Sequence, residues 1–300
     1  MSVLPQDNKT VMDLIEQLKK IDYNNSTPET VRKLLTNQKC LYVPFLIDKG
    51  IYVLRGRKGG CFTKRSQMTY CPVEFCKNIQ RATLAGQTMF YGVISDDQSH
   101  QEKARAIVAS ECSQLCRIGT DSYGIETFTV SHWEVIKPLY IVSLINDTTF
   151  PEITDNALLN QLRNTFVQLH SKEKTSNAEK EFSRFISSEF CKVVKNSNEY
   201  LISATVATDI IKDKCFDGIV YPSVPFGGQA GLNIALTPNA VNHKLRFRRT
   251  LEQTLYKNGE HSFLRIEKAE GKRLFPKQVP DTYIEKELNI NSLSDLPEIK

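Results

Sequence analysis

Residues 216–236 read FDGIVYPSVPFGGQAGLNIAL, and the organisation of the chain is read outward from them. Phe216-Asp217-Gly218 has the composition of a turn, because glycine takes positive φ without a Cβ clash and aspartate can hydrogen-bond its own backbone. Ile219-Val220-Tyr221 is apolar and strand-like, and Pro222, which has no N–H for a ladder, ends that strand. Ser223 is then expected at the lip, with a short, exposed hydroxyl side chain. Gly227, Gly228 and Gly231 follow, and residues 232–236 supply a second strand. A hydroxyl at a strand end before a glycine-rich loop suits a ligand site, although an ordinary strand connection has the same pattern.

Upstream of this unit, residues 200–211 read as a helix. Residues 151–200 are helical and polar, with Leu158, Leu159, Leu162, Phe166 and Leu169 followed by Phe182, Phe185, Ile186 and Phe190. The charged run HSKEKTSNAEKE between these two groups reads as an insertion. Two strands, TVSHWEV and LYIVSLI, flank Lys137-Pro138, where Trp133 packs as sheet aromatics ordinarily do. Residues 102–115 form a helix with Ala104, Ile107, Val108, Cys112 and Leu115 facing inward and Glu111 beside that stripe. Before it come a short helix at 72–78, a loop at 79–86 and a strand at 88–93. Residues 41–54 alternate as short strands and lead into RGRKGG at 55–60, where an arginine fork at a strand end suits a phosphate or carboxylate. On that hexapeptide alone, a solvated basic turn is the simpler reading. Residues 1–40 are helical, and after Pro238 the chain becomes charged and extended.

With 300 residues, the chain can hold one large domain or two small ones. A composition of 40% hydrophobic, 24% charged and 9% aromatic residues is that of a soluble globular protein. No apolar run approaches the ~18 residues that span a bilayer, and residues 1–10 lack the basic start and apolar stretch of a signal peptide. The cytoplasm is therefore the expected location, where the eight cysteines stay reduced. Zinc is not expected either: Cys71 with Cys76 and Cys112 with Cys116 form no close CxxC pair, and the second pair belongs to a helical stripe. The net charge of +5 is mild, and the densest basic run, KLRFRR at 244–249, alternates like a solvated strand edge. Nucleic acid is not the expected partner.

With those residues collected, the sequence resembles the RES domain family, named for an Arg, a Glu and a Ser. Family members carry an arginine at the end of an early strand, here VLRGR with Arg55. An arginine loop and strand of the form GRAN-x-x-G-x-x-x-FY follows, here QRATLAGQTMFY with Arg81 and Tyr91. Next come a helix ending in a glutamate, here IVASE with Glu111, and a tryptophan–proline strand pair, here HWEVIKPLYIVSL. The last motif, DGIxYPS…GxNxAL, is matched by DGIVYPS and GLNIAL with Tyr221 and Ser223. All five occur in family order across residues 51–236. Gln80 and Thr83 replace the usual Gly and Asn around Arg81, and a longer segment after Tyr91 makes Glu102 a rival to Glu111. Glu111 is preferred because it closes the small-residue helix VASE.

The resemblance implies an α+β fold: an ADP-ribosyltransferase-like split, mostly antiparallel β core flanked by helices, with NAD in its cleft. Residues 41–240 would be the catalytic domain, with N-terminal helices at 1–40, a helical insertion at 151–200 and a C-terminal extension at 241–300. NAD would be the substrate, and no cofactor is implied. The nicotinamide–ribose bond would be broken and ADP-ribose passed to water, phosphate or a protein acceptor. Many relatives are toxins, so a cognate antitoxin is an implied partner. Glu111 and Ser223 would be catalytic, and Arg55, Arg81, Tyr91 and Tyr221 would bind substrate. The alternative is a catalytically silent NAD-binding or regulatory module with the same fold.

Overall fold

The computed structural model describes residues 8–36, 43–60, 62, 64–95, 101–116, 122–148, 156–171, 176–214, 216–223, 231–258 and 261–270. Gly227 and Gly228, and part of the charged run at 170–181, lie outside the described residues. The helices are α1 Asn8–Lys19, α2 Pro28–Leu35, α3 Arg65–Met68, α4 Glu102–Cys112, α5 Ala157–His170, α6 Asn177–Cys191, α7 Leu201–Lys214 and α8 Pro238–Lys244. The strands are β1 Val43–Ile47, β2 Tyr52–Lys58, β3 Phe90–Ser95, β4 Tyr123–Val135, β5 Leu139–Ser143, β6 Gly218–Pro222, β7 Leu232–Leu236, β8 Leu245–Asn258 and β9 His261–Glu270. Short 3-10 helices at Val73–Phe75 and Ser197–Tyr200 complete the elements. The chain is thus α+β, and its described strand pairings are antiparallel except for β5 with β6.

Two compact units interleave along the sequence. One draws on Met1–Ile47, Tyr70–Phe90 and Leu139–Asn242, the other on Asp48–Thr69, Tyr91–Pro138 and His243–Lys300.

In the first unit the strands lie in the order β1, β5, β6, β7. Every residue of β6 and β7 is buried, as expected for strands covered on both faces, and α6 lies against β6. Because β5 and β6 are parallel, no hairpin can join them, and the chain crosses from one to the other through α5, α6 and α7. Asp217 anchors the start of β6. Its N–H donates to the Tyr140 carbonyl at 2.7 Å, its Oδ2 accepts from the Tyr140 N–H at 2.7 Å, and its carbonyl accepts from Thr237 N–H at 2.8 Å. Further out, α2 begins at Pro28 with Thr27 as its cap, and Arg32 grips both oxygens of Asp209 on α7 through Nε and Nη2 at 2.9–3.1 Å. Phe182 and Phe190 from α6, with Leu139 and Ile141 from β5, are among the most buried side chains, each contributing about 1.5–3 kcal/mol.

In the second unit the order is β3, β2, β4, β8, β9. β4 pairs with β8 from Tyr123↔Asn258 to Val135↔Leu245, with a bulge between His132 and Trp133. Residues 245–258, within the stretch read as an extension, are therefore an inner strand of this sheet. Helix α4 crosses β2 at Gly56, where an added Cβ would meet Val108 Cγ1 at 2.4 Å and Cys112 Sγ at 2.7 Å. On the opposite face, Trp133 packs edge-on against Phe247 at 5.1 Å under the Arg65 guanidinium at 5.4 Å.

Gly218 corrects one expectation. It does not adopt positive φ; the described glycines that do are Gly50, Gly59, Gly86 and Gly124. Glycine is needed because β7 approaches so closely that an ideal Cβ would lie 2.1 Å from the Ala235 carbonyl oxygen. Gly218→Ala should therefore lower stability by about 3 kcal/mol or more, as overpacking against backbone cannot relax. Gly86→Ala, where nothing lies within 4 Å, should lose only the roughly 1–2 kcal/mol of left-handed strain. Denaturant midpoints of the two variants compare them, and an equal loss would refute the close-approach reading.

Candidate functional site

Arg55 sits mid-strand in β2, opposite Ser131 of β4. Its Nη1 donates to the Tyr91 carbonyl at 2.7 Å, its own carbonyl accepts from Ser131 Oγ at 3.1 Å, and Ser131 in turn accepts from Trp133 Nε1 at 2.9 Å. Since side chains alternate along a strand and Gly56 faces α4, Arg55 leaves the sheet on the face away from α4, with Ser131 and Trp133.

Glu111 lies in the last turn of α4, half-buried, beside Cys112, whose Sγ packs on Gly56. The chain leaving that turn is held firmly. Buried Glu126 accepts from Ser113 Oγ at 2.5 Å and Gln114 N–H at 3.1 Å on one oxygen and from Lys58 Nζ at 2.8 Å on the other. Burial is the largest single influence on Glu126 and pushes its carboxyl up. The hydrogen bonds from Lys58 and Ser113, with the Lys58 charge, together outweigh it and hold the carboxyl below its ordinary value. Glu102, the rival carboxylate, opens α4 about 13 Å away along the axis. It is 65% exposed and paired at 3.4 Å with Arg105.

Arg81, Tyr221 and Ser223 belong to the other unit. Arg81 projects from a tight turn in which Gln80 and Thr83 exchange backbone hydrogen bonds. Its Nη1 donates to the carbonyls of Phe190 at 2.6 Å and Lys192 at 3.1 Å, where α6 ends, and its Nη2 donates to the Tyr200 hydroxyl at 3.1 Å. The guanidinium carbon lies 4.7 Å from the Tyr200 ring centre and 6.0 Å from that of Tyr221. Tyr221 is itself buried against Phe190. Burial pushes the neighbouring Cys191 thiol up to about 12, against the opposing Arg81 charge. Ser223 is 0% exposed and its N–H donates to the Gly231 carbonyl at 3.0 Å, so the exposed lip read from the sequence is a fully buried position. That hydrogen bond lies one residue beyond the last ladder pair, Pro222↔Leu232.

Arg55 thus meets Tyr91, and Arg81 meets Tyr221, while Glu111 rides on the opposite face of β2 from Arg55. Two residues stand out that motif reading missed. Tyr200 reads in the sequence only as a helix start. His132, inside TVSHWEV, looks like any strand residue, yet it is 0% exposed and among the described residues neither ring nitrogen has a hydrogen-bond partner. It pairs with Leu54 on β2 and Arg249 on β8, and buried Arg105 on α4 is close enough to act on it electrostatically. Burial first, then the charges of Arg249 and Arg105, push its pKa well below the ordinary value of 6.5.

Among the described residues no group of three or more His, Cys, Asp and Glu side chains could hold a metal, no cysteine is in a disulfide, and no helix is long and apolar enough to cross a membrane. No protein-family model matches the chain, and no curated protein matches it.

The state of His132 sets a pH dependence. The unfolded chain takes up a proton near pH 6.5 that the folded protein refuses, so stability is complete above that pH. Below it, stability is lost at up to about 1.4 kcal/mol per pH unit until the depressed folded value is reached. His132→Leu should flatten this limb between about pH 6.5 and 5. Equal slopes for both proteins in urea titrations would remove His132 as the cause.

Proposed function

We propose that this protein consumes NAD, cleaving the nicotinamide–ribose bond as a glycohydrolase or ADP-ribosyltransferase. The observation that supports this reading is that each motif arginine lies beside a motif tyrosine of another stretch: Arg55 donates to the Tyr91 backbone carbonyl on the neighbouring strand, and the Arg81 guanidinium stands 6.0 Å from the Tyr221 ring centre.

The chemistry assigns the roles. Departure of nicotinamide leaves an oxocarbenium-like ribose, which the Glu111 carboxylate stabilises while orienting the ribose hydroxyls or the attacking group. With water as acceptor, its oxygen bonds to the anomeric carbon as the bond to the pyridinium nitrogen breaks, and one proton is released. Arg55 and Arg81 each carry a guanidinium suited to holding the pyrophosphate or an adjacent polar group of the dinucleotide through charge-assisted hydrogen bonds. Tyr91 stacks on or hydrogen-bonds the nicotinamide side, Tyr221, buried against Phe190, backs the Arg81 guanidinium, and Ser223 offers a hydroxyl for a ribose or amide group. Passing ADP-ribose to a protein would make that protein a partner, and a toxin of this kind would have a cognate antitoxin. The complete burial of Ser223 favours a second reading: a module that binds NAD without turning it over, its YPS element serving the fold.

Purified protein incubated with NAD should release free nicotinamide. Glu111→Ala should lower kcat at least about a hundredfold while NAD affinity stays within about threefold, because the lost interaction belongs to the transition state. Glu102→Ala should turn over normally. Arg55→Ala should weaken NAD binding about tenfold to a hundredfold. NAD binding with no nicotinamide release would establish the silent module, and the reverse pattern for the two glutamates would move the chemistry to Glu102.

A further inference from the structure

We infer that Tyr200 is a positioning residue that aims Arg81 at a pyrophosphate group. The inference rests on the reading of Arg81 as a holder of the dinucleotide phosphates.

The first observation is the company Arg81 keeps. Arg32 binds Asp209, Arg184 binds Asp147, and Arg248 binds Glu134, so those guanidiniums spend their charge on carboxylates. Arg81 donates only to neutral oxygens among the described residues: two carbonyls and the Tyr200 phenol. Among the described residues no carboxylate is paired with it, so its charge is held by neutral oxygens and aromatic faces alone. The carbonyls at the end of α6 add the negative partial charge of a helix C-terminus, which holds the cation without cancelling it.

The second observation is which donors remain. Nη1 donates to the Phe190 and Lys192 carbonyls and Nη2 to Tyr200, so among the described residues Nε and the second hydrogen of Nη2 have no acceptor. Nε and Nη2 are the atoms with which Arg32 grips both oxygens of Asp209, and two adjacent phosphate oxygens present a similar target.

The third observation is that the backbone around Tyr200 is tied on both sides. It ends the 3-10 helix Ser197–Tyr200 and runs without a break into α7. Asn196 caps that turn and Glu199 accepts from Lys195 N–H, Asn196 N–H and Asn196 Nδ2. The Tyr200 carbonyl accepts from Ser203 Oγ at 3.1 Å. A phenol on such a junction offers both its oxygen and its ring face to one guanidinium, fixing distance and tilt together.

The test is a double-mutant cycle of Tyr200→Phe with Arg81→Ala, read by calorimetric binding of inorganic pyrophosphate and by NAD steady-state kinetics. Arg81→Lys replaces Arg81→Ala if losing the grip on α6 unfolds the protein. Tyr200→Phe keeps the ring and should weaken pyrophosphate binding and raise KM for NAD about fivefold to twentyfold, with kcat near normal. In the Arg81 variant the same change should have no further effect, the coupling a positioning role requires and a general stabilising role does not. Wild-type affinity in Tyr200→Phe, or an equal loss in both backgrounds, overturns the inference while NAD turnover leaves the proposed function standing. Coupled pyrophosphate binding without NAD cleavage upholds the inference and ends the NAD reading. Failure to bind either compound ends both.

Discussion

One parallel pairing constrains the first unit more than any other contact. β5 and β6 run side by side in the same direction, so the chain must travel back the length of the sheet between them. The residues that make this return are α5, α6, the 3-10 helix Ser197–Tyr200 and α7. They bring to one place the carbonyls of Phe190 and Lys192 and the phenol of Tyr200, which together seat Arg81. The helical stretch that reads as an insertion is thus the crossover the sheet demands, and the arginine's seat is built from it. Asp217 secures the arrangement by bonding both backbone groups of Tyr140 at the head of the parallel pair.

Two glycines work by lacking a Cβ. Gly218 admits the Ala235 carbonyl and lets β7 close on β6, and Gly56 admits Val108 and Cys112 and lets α4 settle on β2. The second contact fixes the face on which Glu111 travels. Because Arg55 and Gly56 alternate, the helix that carries the glutamate and the arginine beside its docking point are on opposite sides of the strand.

Buried polar groups in the second unit show two outcomes of the same desolvation. Glu126 is buried and charged, because Lys58, Ser113 and Gln114 together satisfy both its oxygens. His132 is buried with neither nitrogen hydrogen-bonded among the described residues, and burial, with two guanidiniums acting on it, disfavours its charged form. The first ties the end of α4 to β4, and the second makes the middle of β4 sensitive to acid.

Local sequence determined the elements. The strand at 218–222 and its partner at 232–236, the helix opening at Glu102, and the helices between 157 and 214 follow from apolar spacing, a property of a few neighbouring residues. The motif tyrosines and arginines could be named from their order along the chain. Their partners could not: Arg81 reaches carbonyls and a phenol 109 to 119 residues away, and Ser223, read as exposed, is fully buried. The length of β8 and its place inside a sheet were equally hidden, since KLRFRR alternates as a solvated edge strand would, and only pairing with the thirteen-residue β4 on one side and β9 on the other makes it an inner strand. The need for glycine at 218 was legible and its cause was not, because positive φ belongs to one residue whereas a carbonyl 2.1 Å from an absent Cβ belongs to the packing of two strands. The tertiary structure alone decided register and long-range contact, which depend on how whole elements fit and not on any local run of residues.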